Sequence, residues 1–158
     1  MPIYMKYDTI NGDVTAKDHE KWIEVNSFQW GVGRGISSPT GASADRESSA
    51  PSVSEIVVTK ETDIASTKLV NESLQGEGVE VKLDFCKTDK GNLSVYLAYT
   101  LTNTMISGYS LSSGGDRPTE SLSLNFTKIE MRDIGLGSKN EDGQPETVGY
   151  DLATANVL

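Results

Sequence analysis

Chemistry in this sequence would have to be built around one histidine and one cysteine, His19 and Cys86. A Ser-His-Asp or Cys-His arrangement needs a nucleophile held against a base, and no nucleophile elbow or comparable motif accompanies either residue. His19 lies in Lys17-Asp18-His19-Glu20, a polar turn ahead of Trp22, where a solvated or capping imidazole is expected. One His and one Cys far apart make no zinc set, and the acids lack EF-hand spacing, so no metal is expected. A lone cysteine also excludes an internal disulfide and a CxxC centre. Paired carboxylates for glycoside chemistry stay open, because 23 Asp and Glu offer many pairings and the spacing singles out none.

Two glycine-rich stretches have the look of ligand loops. Gly31, Gly33 and Gly35 form Gly-x-Gly-x-Gly, but a dinucleotide fingerprint needs Gly-x-Gly-x-x-Gly between a strand and a helix. Here the glycines end a strand and open a long polar arm, so backbone freedom is their expected role and no cofactor follows. Ser112-Ser113-Gly114-Gly115-Asp116-Arg117-Pro118 is a compact turn that suits either an anion nest or a plain strand connection. Asp116 and Arg117 can pair with each other or reach another subunit. Taken together, these residue types point away from an enzyme and toward function through surfaces.

The elements that would position them are strands. Period-2 alternation is cleanest in Val79-Glu80-Val81-Lys82-Leu83-Asp84-Phe85, and it recurs at Leu93, Val95, Leu97, Tyr99 and Leu101. Leu122, Leu124 and Phe126 repeat it. Further candidates are Ile3–Asp8, Trp22–Trp30, Ser54–Lys60 and a last short strand around Thr147–Leu152. Asp89-Lys90-Gly91-Asn92 reads as a hairpin turn. One segment changes period: Ala65, Leu69, Val70 and Leu74 are spaced for a helix over about 63–75. Asp63 can accept hydrogen bonds from its first amides, and Gly76 can stop it.

The expected fold is therefore mostly β. One domain over 1–158 forms an antiparallel β-barrel of two packed sheets, with one flanking α-helix and a long protruding loop at 34–52. A loop of that length, rich in Ser, Ala, Gly and Pro, implies disorder or a recognition arm. The stretch Gly135–Pro145 reads as a second long turn. A net charge of −9 without a Lys/Arg stripe excludes nucleic acid as a natural partner. No apolar run approaches the ~20 residues of a membrane-spanning helix, so no membrane insertion is expected. Met1-Pro2-Ile3-Tyr4-Met5-Lys6 lacks the pattern of a secretory signal, which implies folding in the cytoplasm and any export without a cleavable signal. A long arm beside many strand edges is a means of self-association.

Several longer motifs bear a family resemblance. His19-Glu20-x-Trp22-Ile23-Glu24 followed by Ser27-Phe28-x-Trp30-Gly31 is similar to the N-terminal signature of the Hcp family, the haemolysin-coregulated tube proteins of bacterial type VI secretion. Ala44-Asp45-Arg46, Ala50-Pro51-Ser52-Val53-Ser54-Glu55-Ile56, Thr59-Lys60 and Asp63-x-Ala65-Ser66 continue the resemblance. Its strongest part is Ser107-Gly108-Tyr109-Ser110 followed by the run from Gly114 to Glu130, and Val148-Gly149-Tyr150-Asp151-Leu152 resembles the final strand. The resemblance covers about 3–154. Met131-Arg132-Asp133-Ile134-Gly135-Leu136 departs from the family pattern, which expects an aromatic, Pro-Gln-containing run there.

The resemblance implies a non-enzymatic subunit that forms homohexameric rings, which stack into a tube. A contractile sheath drives the tube out, a spike protein of the VgrG type caps it, and small effector proteins ride in its lumen. It implies assembly in the cytoplasm and then secretion to the exterior or into target cells. Arg34, Pro39, Asp45, Arg46, Glu47 and Pro51 would belong to a ring-stacking loop. Ser110, Ser112, Ser113, Asp116 and Arg117 would belong to a turn facing the lumen or a neighbouring subunit. Six copies at −9 each carry −54, so assembly is expected to depend on salt. The competing readings are a phage-tail-tube-like structural protein and an all-β carbohydrate-binding module or enzyme.

Overall fold

Alternation sets the sheets. In the strand Val79–Asp89, Val81 and Leu83 are fully buried while Glu80 and Lys82 stand in solvent. The structure, a computed structural model, describes residues 1–38, 40–41, 48–135 and 145–158. Among these lie β1 (Ile3–Tyr7), β2 (Ile23–Val25), β3 (Ser27–Gln29), β4 (Val32–Gly33), β5 (Ser52–Val53) and β6 (Ile56–Glu61). Helix α1 (Ser66–Gln75) follows, then β7 (Val79–Asp89), β8 (Asn92–Ser112), β9 (Thr119–Asn125), β10 (Lys128–Asp133), β11 (Glu146–Asp151) and β12 (Asn156–Val157).

All pairings between these strands are antiparallel. The larger sheet runs β12-β11-β10-β8-β7-β1-β2, and the smaller runs β3-β6-β9-β8. β8, 21 residues long, belongs to both. Its Leu97–Thr102 half pairs with β10, and its Met105–Ser112 half pairs with β9. Between the halves, Asn103 adopts φ +55, a left-handed turn of the backbone that Asn tolerates better than most residues. Gly78 fits against that kink because a Cβ there would overlap the Asn103 side chain. At the other border, β2 and β3 are consecutive, and Asn26 N–H donates to Thr59 O at 2.7 Å. The sheets thus wrap the core as a flattened barrel without closing into one continuous ladder.

The hairpin turn falls where the sequence predicts it: Lys90 and Gly91 both have positive φ, the mirror-image turn that matches strand twist. The helix begins three residues later than expected, at Ser66. Asp63 precedes it in a turn and accepts the Ala65 amide at 2.9 Å, so it serves the helix entrance from outside. Gly76 ends the helix, its N–H reaching Glu72 O at 2.9 Å, where a side chain would press on that carbonyl. Leu69 is sealed against the core, whereas Leu74, expected on the packed face, is 79% exposed. Trp22–Trp30, expected as one strand, breaks at Asn26 into β2 and β3 as the chain passes from one sheet to the other. The arm's stem is paired, Val32 opposite Val53 and Gly33 opposite Ser52.

Candidate assembly surfaces

At the flank where α1 meets the smaller sheet, three buried polar side chains, Lys60, Ser66 and Glu120, meet the half-buried Asp63 and Tyr109. Lys60 and Glu120 face each other across the β6–β9 ladder, both inaccessible to solvent. Lys60 Nζ donates to Glu120 Oε1, to Asp63 Oδ1 at 3.0 Å and to the Glu61 carbonyl at 2.9 Å. Ser66, in the first turn of α1, donates to Glu120 Oε1 at 2.7 Å, and the Tyr109 hydroxyl donates to Glu120 Oε2. Burial pushes the Glu120 carboxyl up. The hydrogen bonds from Lys60, Tyr109 and Ser66, with the Lys60 charge, outweigh that and leave it below the ordinary range. Tyr109 is pushed up to about 12 by burial and by its bond to Glu120. Every member of this group finds its partners inside the chain, and together they tie β6, β8, β9 and α1.

The opposite flank is apolar and uncovered. Row by row, the core face of the larger sheet runs outward from Leu101 through Ile129 and Tyr150 to Val157, and from Tyr99 through Met131 to Val148. Leu101 and Ile129 are sealed, but Val148 is 50% exposed and Val157 72%. Trp30, Val32, Pro51 and Val53 face these rows from the arm's stem, leaving a groove of about 330 Å³ without a charged side chain in its lining. Trp30 packs edge-on against Tyr99 at 5.7 Å, at the end of an aromatic group that includes Phe28 and Phe85.

The residues singled out in the sequence fall in separate places. Arg34 is exposed beside the stem, and Pro51 lines the groove. Pro39, Asp45, Arg46 and Glu47, together with most of the Gly135–Pro145 stretch, lie outside the described residues. Ser110 and Ser112 end β8, opposite Ser121 and Thr119. Ser113 accepts the Gly115 amide at 3.4 Å and donates to the Asp116 carbonyl at 3.3 Å, so it closes the turn on itself. Arg117 turns inward to its own chain, its Nε donating to Thr62 O at 2.8 Å and its Nη1 lying 3.3 Å from Glu61 Oε2. The stem and the turn sit at opposite ends of β6, roughly 17 Å apart at the rise of an extended chain.

His19 is a correction. It is buried, its Nε2 2.8 Å from Asp84 Oδ2 and its ring between Tyr4 and Trp22. Asp84 points to the outward side of β7, and the chain before β2 folds over it, so the imidazole fastens that cover. Cys86 is also buried, its thiol pushed up to about 11 by burial and then by Asp84, which keeps it protonated near neutrality. Among the described residues no group of three or more His, Cys, Asp or Glu is placed to hold a metal ion. No helix among them is long and apolar enough to cross a membrane.

A family model described as type VI secretion system effector, Hcp, matches residues 4–132. The chain belongs to the Hcp family. Among solved structures similar to this Hcp-family chain, one described as a type six secretion system protein has a TM-score of 0.90 at 27% identity, covering 99% of both chains. Hcp1 from Salmonella typhimurium has a TM-score of 0.79 at 23% identity, covering 99% of this chain and 98% of its own. A type VI secretion system effector from Yersinia pestis has 0.74 at 22% identity, covering 94% of this chain and 98% of its own. The latter two carry the fold. No curated protein sequence matches the chain. The Hcp family is one of secreted effector and tube proteins, and this chain has its fold from end to end.

Proposed function

We propose that this Hcp-family chain is a tube subunit: six copies close into a ring, and rings stack into a tube that leaves the cell with a spike and small effector proteins. The observation that carries the reading is the likeness at TM-score 0.90 over 99% of both chains. The two chains superpose over nearly the whole of the lengths compared. The physics supports it in two ways. A ring needs two different patches per subunit, and this chain has a paired stem at one end of β6 and a closed turn at the other. The face of the larger sheet that points away from the core carries small and mixed-charge residues, among them Ala98, Thr100, Glu130 and Arg132, which suits the wall of a water-filled lumen. In this reading the arm, Arg34 and Pro51 included, reaches the next ring; Ser110, Ser112, Ser113, Asp116 and Arg117 mark the lumen or the neighbouring subunit.

Deleting Gly35–Ser49 tests the division of labour. Loops are dispensable for a core and commonly carry recognition. Electron microscopy of the deletion variant should show single rings and no tubes, with the circular dichroism of the parent. Loss of the rings themselves, or tubes as long as the parent's, would contradict the role given to the arm.

A further inference from the structure

The outward face of the larger sheet is charged, and its charges leave one gap open. β8 runs between β7 and β10, so the registers put Asp84, Ala98, Arg132 and Thr147 in one row across the sheet. Lys82, Thr100, Glu130 and Gly149 form the next row. The small side chains of Ala98 and Thr100 make a floor, with charged walls two strand spacings apart, about 9.6 Å. The trough holds about 370 Å³, and Trp22, from the connection between β1 and β2, completes its lining. The Lys82 row is already paired: Lys82 meets Glu80 at 3.5 Å and Glu130 meets Lys128 at 3.8 Å, each along its own strand. The Asp84 row is not. His19, whose ring lies against Tyr4 of β1, takes Oδ2 of Asp84, and Oδ1 has no hydrogen-bond partner among the described residues. Arg132 is exposed and makes no ion pair or hydrogen bond among the described residues.

We propose that this row binds the zwitterion of a free α-amino acid. Its ammonium donates to Oδ1 of Asp84, its carboxylate accepts from the Arg132 guanidinium, and its Cα lies over Ala98. Charge selects this ligand class. The chain carries −9, but within the trough Lys82 and Arg132 offset Asp84 and Glu130, so a lone cation or a lone anion meets as much repulsion as attraction. A ligand with both charges meets only its complements. Spacing selects it too. The two ends of an amino acid, each extended by a charge-assisted hydrogen bond of about 2.8 Å, span a gap of this width. A longer peptide separates its terminal charges beyond the row. The planar fork of Arg132 suits a carboxylate at two points, and Trp22 gives the ligand's side chain an aromatic neighbour. His19 contributes by position, since its bond to Oδ2 holds Asp84 toward β1 and keeps it from closing on Arg132. The row lies within one chain, so the site needs no neighbour and stands or falls apart from the self-assembly reading.

The chain has two tryptophans, Trp22 and Trp30, so a Trp30→Phe variant makes Trp22 the sole fluorescent reporter of the trough. That variant is titrated with L-alanine, with L-alaninamide, which keeps only the ammonium, and with N-acetyl-L-alanine, which keeps only the carboxylate. Calorimetry follows the same titrations in the parent. L-Alanine should give a saturable change in emission and in heat with matching midpoints, and each of the other two should need roughly tenfold higher concentration or more. Arg132→Gln should weaken L-alanine binding by roughly tenfold or more. Ala98→Leu, which fills the floor and alters no charge, should do the same, both with unchanged circular dichroism. An equal response to all three probes, or L-alanine binding that survives both substitutions, would overturn the site. So would the absence of any saturable change in emission and heat.

Discussion

Lys60 and Glu120 at one flank of the core, and Trp30, Met131 and Val148 at the other, are both places where hydrocarbon packing stops. At the first, the chain buries a charge pair and satisfies it completely with Asp63, Ser66, Tyr109 and a backbone carbonyl. At the second, it leaves an apolar face uncovered and an indole N–H without an acceptor. The polar flank is complete in the monomer, and the apolar flank is not. Stability is drawn from the side that closes on itself, and the other side leaves an apolar face open. An assembling subunit needs both, because a core that depended wholly on its neighbours would not wait, folded, to meet them.

The largest expected effect comes from breaking the polar flank. Lys60→Met leaves Glu120 buried without its cation and should cost about 3–5 kcal/mol of stability, read from urea denaturation. Replacing both partners, Lys60→Met with Glu120→Leu, should recover most of that loss, because a buried pair is often matched by hydrocarbon of similar size. A single-variant cost below about 1 kcal/mol, the size of an ordinary surface ion pair, would show that the network does not hold α1.

Titration gives an intermediate effect with a definite sign. Glu120 is lower in the folded chain than its ordinary 4.5, so its contribution is fully present above that value and is lost as pH falls through the folded one. Tyr109 moves from 10.0 to about 12, so its contribution is present below 10 and is lost as pH rises toward 12. Thermal unfolding across pH should therefore lose stability at both extremes in the parent. Tyr109→Phe should lessen the alkaline loss, to which Tyr7 and Cys86 also contribute, and should reduce the acid loss a little because Glu120 gives up one of the hydrogen bonds that hold it low; an unchanged alkaline limb would refute the Tyr109 assignment. The smallest effect belongs to the apolar flank: Val148→Glu, at a half-exposed site, should change stability by no more than about 0.5 kcal/mol in urea denaturation. A large destabilisation would mean that the groove is part of the core.

How much of this was written in the sequence depends on whether one element or several had to agree. The alternation in β7, the turn at Lys90-Gly91 and the helix ending at Gly76 are local, and each lies where its residues predict. The buried pair was also legible: Lys60 shares the inward parity of Ile56 and Val58, and Glu120 that of Leu122 and Leu124. Opposite charges on the inward side of two strands announce a pair, although only the register sets them face to face. The same alternation is present in Lys128-Ile129-Glu130-Met131, the strand β10, which is not among the strands expected from the sequence. His19 misled because its burial is produced by Asp84, far along the chain, and a polar neighbourhood in sequence says nothing of that. The groove could not be read at all. Its lining comes from the stem, β10, β11 and β12, and it exists only because one sheet is wider than the other.

Sedimentation of the intact chain over a range of protein and salt concentrations tests the central claim most directly. A subunit of 17.1 kDa taken six times gives a particle of about 103 kDa. That species should be populated at micromolar concentration and should gain ground as salt rises toward physiological strength, where charges more than about 8 Å apart are screened. A single 17.1 kDa species at high micromolar concentration, whatever the salt, would contradict the claim that this chain is built to join its own kind.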